Sequence, residues 1–326
     1  MKTETKMILL LLFLPPILGE LLSGSTPPLP FFLGGIFFLV LLYGCGTVLI
    51  REAKARWGLQ WSVLFLAIAY GIVEEGTMVQ SFFNVDHVDL GVLSGYGMYF
   101  GVQWPWTIAL TVYHATVSTL IPLVIVEYLW PEFKGPLLKR RGIILCLTGY
   151  IFVIVFWLAV FVWAKGHPAF CNFQFSPLLN VVTLGVVALL IWLAHTYRKS
   201  RVSAKTHLLS PFKFGVVGFW AMFINLFLPN ILAEMQVSGT TTIFVQVIWI
   251  VVLLSFAYFQ IYNEKTTKRH IVSLVIGSLL FFIMLTPLHE FGMAENPDPT
   301  GGMAVVGFIA LILLFIWRRK VLKGGQ

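Results

Sequence analysis

The chain reads as a succession of long apolar runs separated by short polar connections. A helix needs about 20 mostly apolar residues to cross a hydrocarbon core of about 30 Å. On that measure the sequence predicts ten spans, at Lys6–Leu22, Phe31–Ile50, Leu59–Phe83, Trp104–Leu129, Gly142–Ala164, Leu178–Tyr197, Phe214–Ala233, Thr241–Tyr262, Ile271–Leu288 and Met303–Trp317. The expected fold is an all-α polytopic transmembrane bundle of about ten spans, one integral membrane domain over residues 1–326 with no soluble domain and no internal repeat.

The connections set the orientation. Lys2 and Lys6 precede the first span, and Arg51, Lys54 and Arg56 follow the second. The remaining clusters follow the fourth, sixth, eighth and tenth spans, so Lys165 alone of the 22 Lys and Arg residues falls on the other side. Basic residues concentrate in cytoplasmic loops, which places both termini in the cytoplasm of a cell whose plasma membrane holds the protein. Lys2 and Lys6 before an apolar run also fit a signal peptide. The Pro15–Pro16 pair inside that run favours a retained, kinked helix. The longest connection, Asn84–Gln103, carries Gly91, Gly95, Gly97 and Gly101 and reads as an outer loop, with a dip back into the membrane as the alternative.

Composition closes off the soluble classes. Hydrophobic residues make up 58% and charged residues 11%, and the mean hydropathy is +0.88. A soluble domain carries about 25% charged residues to solvate its surface. The net charge of +8 would suit nucleic acid, but its confinement to loops on one side excludes that partner and leaves the lipid bilayer. Three cysteines are too few for a disulfide framework. Trp57, Trp61, Trp104, Trp106, Trp130, Trp163 and Trp317 stand at span ends, as an interfacial belt requires.

Ionisable groups at membrane depth cost about 2.5–3.5 kcal/mol each on insertion scales, so they mark function by default. Glu74 and Glu75 on the third span and His114 on the fourth stand out. Each lies about 15 Å below the same boundary when counted at 1.5 Å per residue. Tyr70, Glu74, Thr77 and Ser81 share one helical stripe, and Thr107, Thr111, His114 and Ser118 share another. Gly71 and Gly76 would admit a close neighbour. Two adjacent carboxylates repel, so one is expected to hold a proton, which suits proton exchange or general acid–base work.

Weaker candidates surround them. Asn225, at mid-depth in the seventh span, could orient a water or a carbonyl or simply bond a neighbouring helix. Glu20 reads as an interfacial residue, and Asp86–His87–Val88–Asp89 as a solvated loop rather than a metal site. His289–Glu290 opens like a His-Glu-x-x-His zinc motif, but Met293 occupies the second histidine position. No cofactor and no metal are assigned.

The Glu74–Glu75 pair followed by His114 resembles the CAAX-protease-like (CPBP) glutamate intramembrane proteases over residues 70–118. That family pairs Glu-Glu-x-x-x-Arg with Phe-x-x-x-His and a third His-x-x-x-Asn/Asp motif. Val79 stands at the Arg position and Leu110 at the Phe position, and Asn225 is the stand-in for the third motif. The segments Gly19–Gly24, Glu74–Gly76, Ser81–Phe83 and Tyr113–Ala115 look more like an uncharacterised group of prokaryotic multi-span membrane proteins. The first resemblance implies a membrane-embedded hydrolase acting on a membrane peptide. Glu74 or Glu75 would activate water, His114 would stabilise the oxyanion or move the proton, and Asn225 would assist. The alternatives are a proton-coupled transporter of a small molecule using the same groups, or a structural scaffold.

Overall fold

The computed structural model describes residues 1–292 and 299–323. Met293, the residue that breaks the zinc-motif spacing, lies outside them. The described chain is nearly all helix. The helices are α1 (Thr3–Pro16, continued by a π-helical turn Ile17–Leu21), α2 (Pro28–Trp57), α3 (Val63–Ile72, continued by a π-helical turn Val73–Met78), α4 (Trp104–Leu129), α5 (Arg140–Trp163), α6 (Pro177–Thr196), α7 (Pro211–Glu234), α8 (Gly239–Ile261), α9 (Lys268–Phe291) and α10 (Met303–Lys323). Seven of them, α2 and α4 to α9, are long and apolar enough to cross a membrane. The expectation of ten spans thus meets seven membrane-length helices; α1, α3 and α10 are helical as well.

Local chemistry sets the ends. Prolines at the first helical turn open α2, α4, α6 and α7, where a missing N–H costs nothing. Ser176 and Ser238 accept from Leu179 N and Thr241 N at the starts of α6 and α8. Gly58, in the left-handed region at φ 69°, closes α2. Pro15 and Pro16 do not break α1; a π-helical turn follows them, in which Leu22 N reaches Ile17 O at 2.8 Å.

Two apolar clusters hold the bundle together. One joins α1, α2, α3, the last turns of α4, and α5, around fully buried Met7, Leu11 and Val48. The other joins α4, α7, α9 and α10, around Val117, Phe281 and Phe282. The helix α4 belongs to both and is the most buried of the seven, whereas α5 and α8 are the least. Between α7 and α9 the backbones touch: a Cβ on Gly277 would stand 1.9 Å from Gly215 O, and one on Gly218 2.3 Å from Leu274 O.

The third span ends earlier than its hydropathy suggests. Gln80 adopts φ 63°, and its side-chain amide donates to Gly76 O and Thr77 O, capping the helix at Met78. Leu59–Phe83 was the expected extent. The chain from Val79 to Gln103 then folds back over the bundle instead of standing clear of it. Gln80, Ser81, Asn84, Leu90, Leu93 and Gln103 are buried, while Val88 and Phe100 stay exposed. Gly91, Gly95, Gly97 and Gly101 all take positive φ, turning the segment on itself and into a two-stranded hairpin, β1 (Met98–Tyr99) with β2 (Val102–Gln103). At the opposite end of the bundle, Glu52 accepts from Leu137 N and Leu138 N, and Arg51 donates to Gly135 O and Phe133 O, pinning the connection between α4 and α5.

Candidate functional site

Glu74, Glu75 and His114 meet. His114 Nε2 lies 2.9 Å from Glu75 Oε1, and Nδ1 lies 3.0 Å from Glu74 Oε2. All three side chains are buried. The imidazole is therefore a bridge between two carboxyl groups, one at each nitrogen. Ser118 Oγ, 3.1 Å from Nδ1, takes the direction in which that nitrogen bonds, which leaves Glu74 Oε2 enclosed without an aligned donor. On the other side, Ser81 Oγ donates to Glu75 Oε2, and Trp106 Nε1 donates to Ser81 Oγ at 3.0 Å.

The π-helical turns explain how the trio converges. Glu74 and Glu75 lie in the turn Val73–Met78, and His114 and Ser118 lie in the turn His114–Leu120. A π-helical turn holds more residues than an α turn, so side chains after it shift round the helix axis, and such turns are frequent at functional sites. The shared stripe of Tyr70, Glu74, Thr77 and Ser81 assumed uninterrupted α geometry. In the structure Ser81 lies past the helix end and serves Glu75 rather than Glu74. Close approach is bought by Gly71, whose Cβ would stand 3.0 Å from His114 Cβ.

Two further π-helical turns point at the same place, and they bring in residues the linear reading left out. Ile17–Leu21 carries Glu20, and Val40–Gly44 within α2 carries Tyr43. Glu20 is half-buried: Tyr43 Oη and Thr26 Oγ1 donate to it, the latter at 2.6 Å. The Tyr43 hydroxyl also stands beside the Glu74 carboxylate, and its ring centroid lies 6.0 Å from that of His114. Gly19 makes this possible, since a Cβ there would stand 2.7 Å from Ser118 Oγ and 2.9 Å from the Tyr43 ring. Its carbonyl accepts from Tyr113 Oη at 2.6 Å. The available signal was a carboxylate flanked by small residues, Gly19–Glu20 and Ser23–Gly24–Ser25, beside a proline pair. Depth counting along one helix does not show that Tyr43 comes to meet it.

The site is closed at both ends. Towards the 79–103 segment it is covered by Ser81, Trp106 and Gln103, whose amide donates to Ser81 O and Asn84 O. Towards the other end stand Tyr43, Tyr70 and Tyr150, with ring centroids 6.0 Å and 6.2 Å apart. The Tyr70 hydroxyl and Thr77 Oγ1 are buried without a hydrogen-bond partner, Tyr70 beside Glu74.

The remaining candidates fall elsewhere. Asn225 donates to Ala109 O at 2.9 Å, an interhelical bond from α7 to the helix that carries His114, and does not join the trio. Asp86 and Asp89 are exposed, and His87 accepts from Asp89 N. Among the described residues, Glu74, Glu75 and His114 are the group with metal-ligand spacing, offering one donor atom each within 4.8 Å of one another. No Lys or Arg pairs with Glu20, Glu74 or Glu75 among the described residues.

The profile of a family described as an uncharacterized membrane protein family matches residues 9–323, nearly the whole chain. Neither curated proteins nor solved structures gave a significant match.

Proposed function

The chain belongs to that uncharacterised membrane protein family, and from the geometry of its buried site we propose that it is a proton-coupled transporter in which Glu74, His114 and Glu75 carry the proton. One observation carries the reading: two carboxyl groups flank one imidazole and a third, Glu20, lies behind Tyr43, with no Lys or Arg paired to them among the described residues. Burying that many negative charges against a single positive one is prohibitive, so protons must balance the cluster. A group of side chains that has to hold protons in the membrane is equipped to load and release them. His114 suits the task because its two nitrogens face different carboxyls, so a proton taken up at one can leave from the other.

The enclosure supports transport over hydrolysis. A hydrolase of this kind has to admit a peptide carbonyl beside its acid, yet both imidazole nitrogens are engaged and tyrosines and the folded-back segment cover the ends. A closed site with a cover on each side is the form that alternating access passes through. The segment 79–103 would open one side and the Tyr43–Tyr70–Tyr150 layer the other. The proposal includes ten spans with both termini cytoplasmic, α1, α3 and α10 completing the seven membrane-length helices, and residence in the plasma membrane.

Purified protein in liposomes with a pH-sensitive dye inside tests this. Under an imposed proton gradient with a candidate substrate on one side, wild type acidifies the lumen and the Glu75→Gln and His114→Asn variants do not. Equal proton movement in wild type and both variants would sink the proposal.

A further inference from the structure

We infer that the cargo of this site is a divalent transition-metal ion, held by Glu74, Glu75 and His114. Its role as cargo rests on the transport reading; the binding site stands on its own geometry. Three donors lie within 4.8 Å of one another, slightly wider than the roughly 4.4 Å that one ion with bonds of about 2.0–2.2 Å can span, so the side chains have to close in on it by a fraction of an ångström or more. The donor set is mixed, one imidazole nitrogen with carboxylate oxygens. That suits zinc and its neighbours rather than magnesium or calcium, which take six or more oxygens.

Two observations besides the spacing of the donors point to a missing partner. Glu74 Oε2 is buried without an aligned donor, and the Tyr70 hydroxyl, beside the same carboxyl group, is buried without an aligned hydrogen bond. Buried polar atoms are otherwise almost always satisfied, so a pair of orphans at one spot marks a place where something binds. The second observation is the surrounding support. Ser118 holds Nδ1, which leaves Nε2 as the ligand nitrogen beside Glu75 Oε1, and Ser81 holds the other Glu75 oxygen; Glu74, which stands on the Nδ1 side, has to turn towards Nε2 to complete the set. Metal-binding histidines and carboxylates characteristically have such outer partners fixing tautomer and orientation.

Charge follows the same logic. An ion of charge +2 neutralises two carboxylates at once, so it can take the place of the protons that otherwise keep the cluster neutral. Two protons leaving as one ion enters keeps the buried charge constant, which makes exchange the natural mode. The third carboxyl, Glu20, stays on its Tyr43 and Thr26 bonds and forms the wall of the site.

The test is equilibrium dialysis of the purified full chain in detergent against Zn²⁺, with Mg²⁺ in excess. One Zn²⁺ per chain is expected in wild type and in Asn225→Ala, with affinity lower by at least about tenfold in Glu75→Gln and His114→Asn. No binding by wild type, unchanged binding in both trio variants, or loss on His87→Ala or His167→Ala would overturn the inference. Should the trio variants fail to fold, Co²⁺ bound to wild type decides. A nitrogen–oxygen ligand field supports the site, and a thiolate charge-transfer band, which would place the ion at Cys45 and Cys146, overturns it. Proton movement without metal binding removes this inference and leaves the transporter. Metal binding without proton movement keeps the site and removes the transporter.

Discussion

Replacing His114 with alanine leaves Glu74 and Glu75 buried with no imidazole between them, and the full chain in detergent should lose about 3–5 kcal/mol of stability. The loss comes mostly from what stays behind. Both carboxyls keep their burial, while Glu75 retains Ser81 and Glu74 retains the neighbouring Tyr43 hydroxyl. Protonation of the abandoned acids gives part of the loss back, so it should be larger at high pH than at low. Glu75→Gln is the contrast. An amide of the same shape can still bond Ser81 and His114, so its cost should be about 1 kcal/mol. Thermal unfolding of the two variants beside wild type checks this. Equal, small losses would mean that the imidazole is not an electrostatic partner of the pair.

Valine at Gly277 should prevent α7 and α9 from packing at all. A Cβ there would stand 1.9 Å from Gly215 O, an atom of the backbone that cannot turn aside as a side chain can. Overpacking a well-filled interior costs about 1–3 kcal/mol even where side chains can give way, and here the helix axes themselves must separate. The second apolar cluster, which includes Met222, Val275, Leu279 and Phe282 from these helices, would be pried open with them. Gly185→Ala is the matching control. Gly185 lies exposed on α6 with nothing within 4 Å of its missing Cβ, and alanine is the better helix former, so stability should hold or rise slightly. Yield of monodisperse protein in detergent, together with unfolding temperature, distinguishes the two.

The two halves of the account were unequally legible in the sequence. Each apolar run corresponds to a helix because hydropathy along the chain records what lipid demands of a backbone. The end of α3 was not recorded that way. Val79, Phe82 and Phe83 are as apolar as a span, and the helix stops because Gln80 turns left-handed and caps it. The trio itself could be found, since two acids and a histidine in apolar runs are conspicuous whatever the exact geometry. Glu20 and Tyr43 could not. Their approach depends on π-helical turns in α1 and α2, and nothing in residue type or spacing announces such a turn. Asn225 illustrates the reverse case, a polar residue at the right depth whose bond to Ala109 O is interhelical.

Infrared difference spectroscopy on the reconstituted protein tests most directly whether the buried acid pair holds and releases protons. The account predicts a carbonyl stretch of a protonated carboxylic acid at neutral pH. It should shift in D₂O as the proton exchanges, weaken when the pH is raised, and change in both Glu74→Gln and Glu75→Gln. Absence of any protonated carboxyl signal, or a signal untouched by both substitutions, would make the trio a fixed structural network and contradict the account.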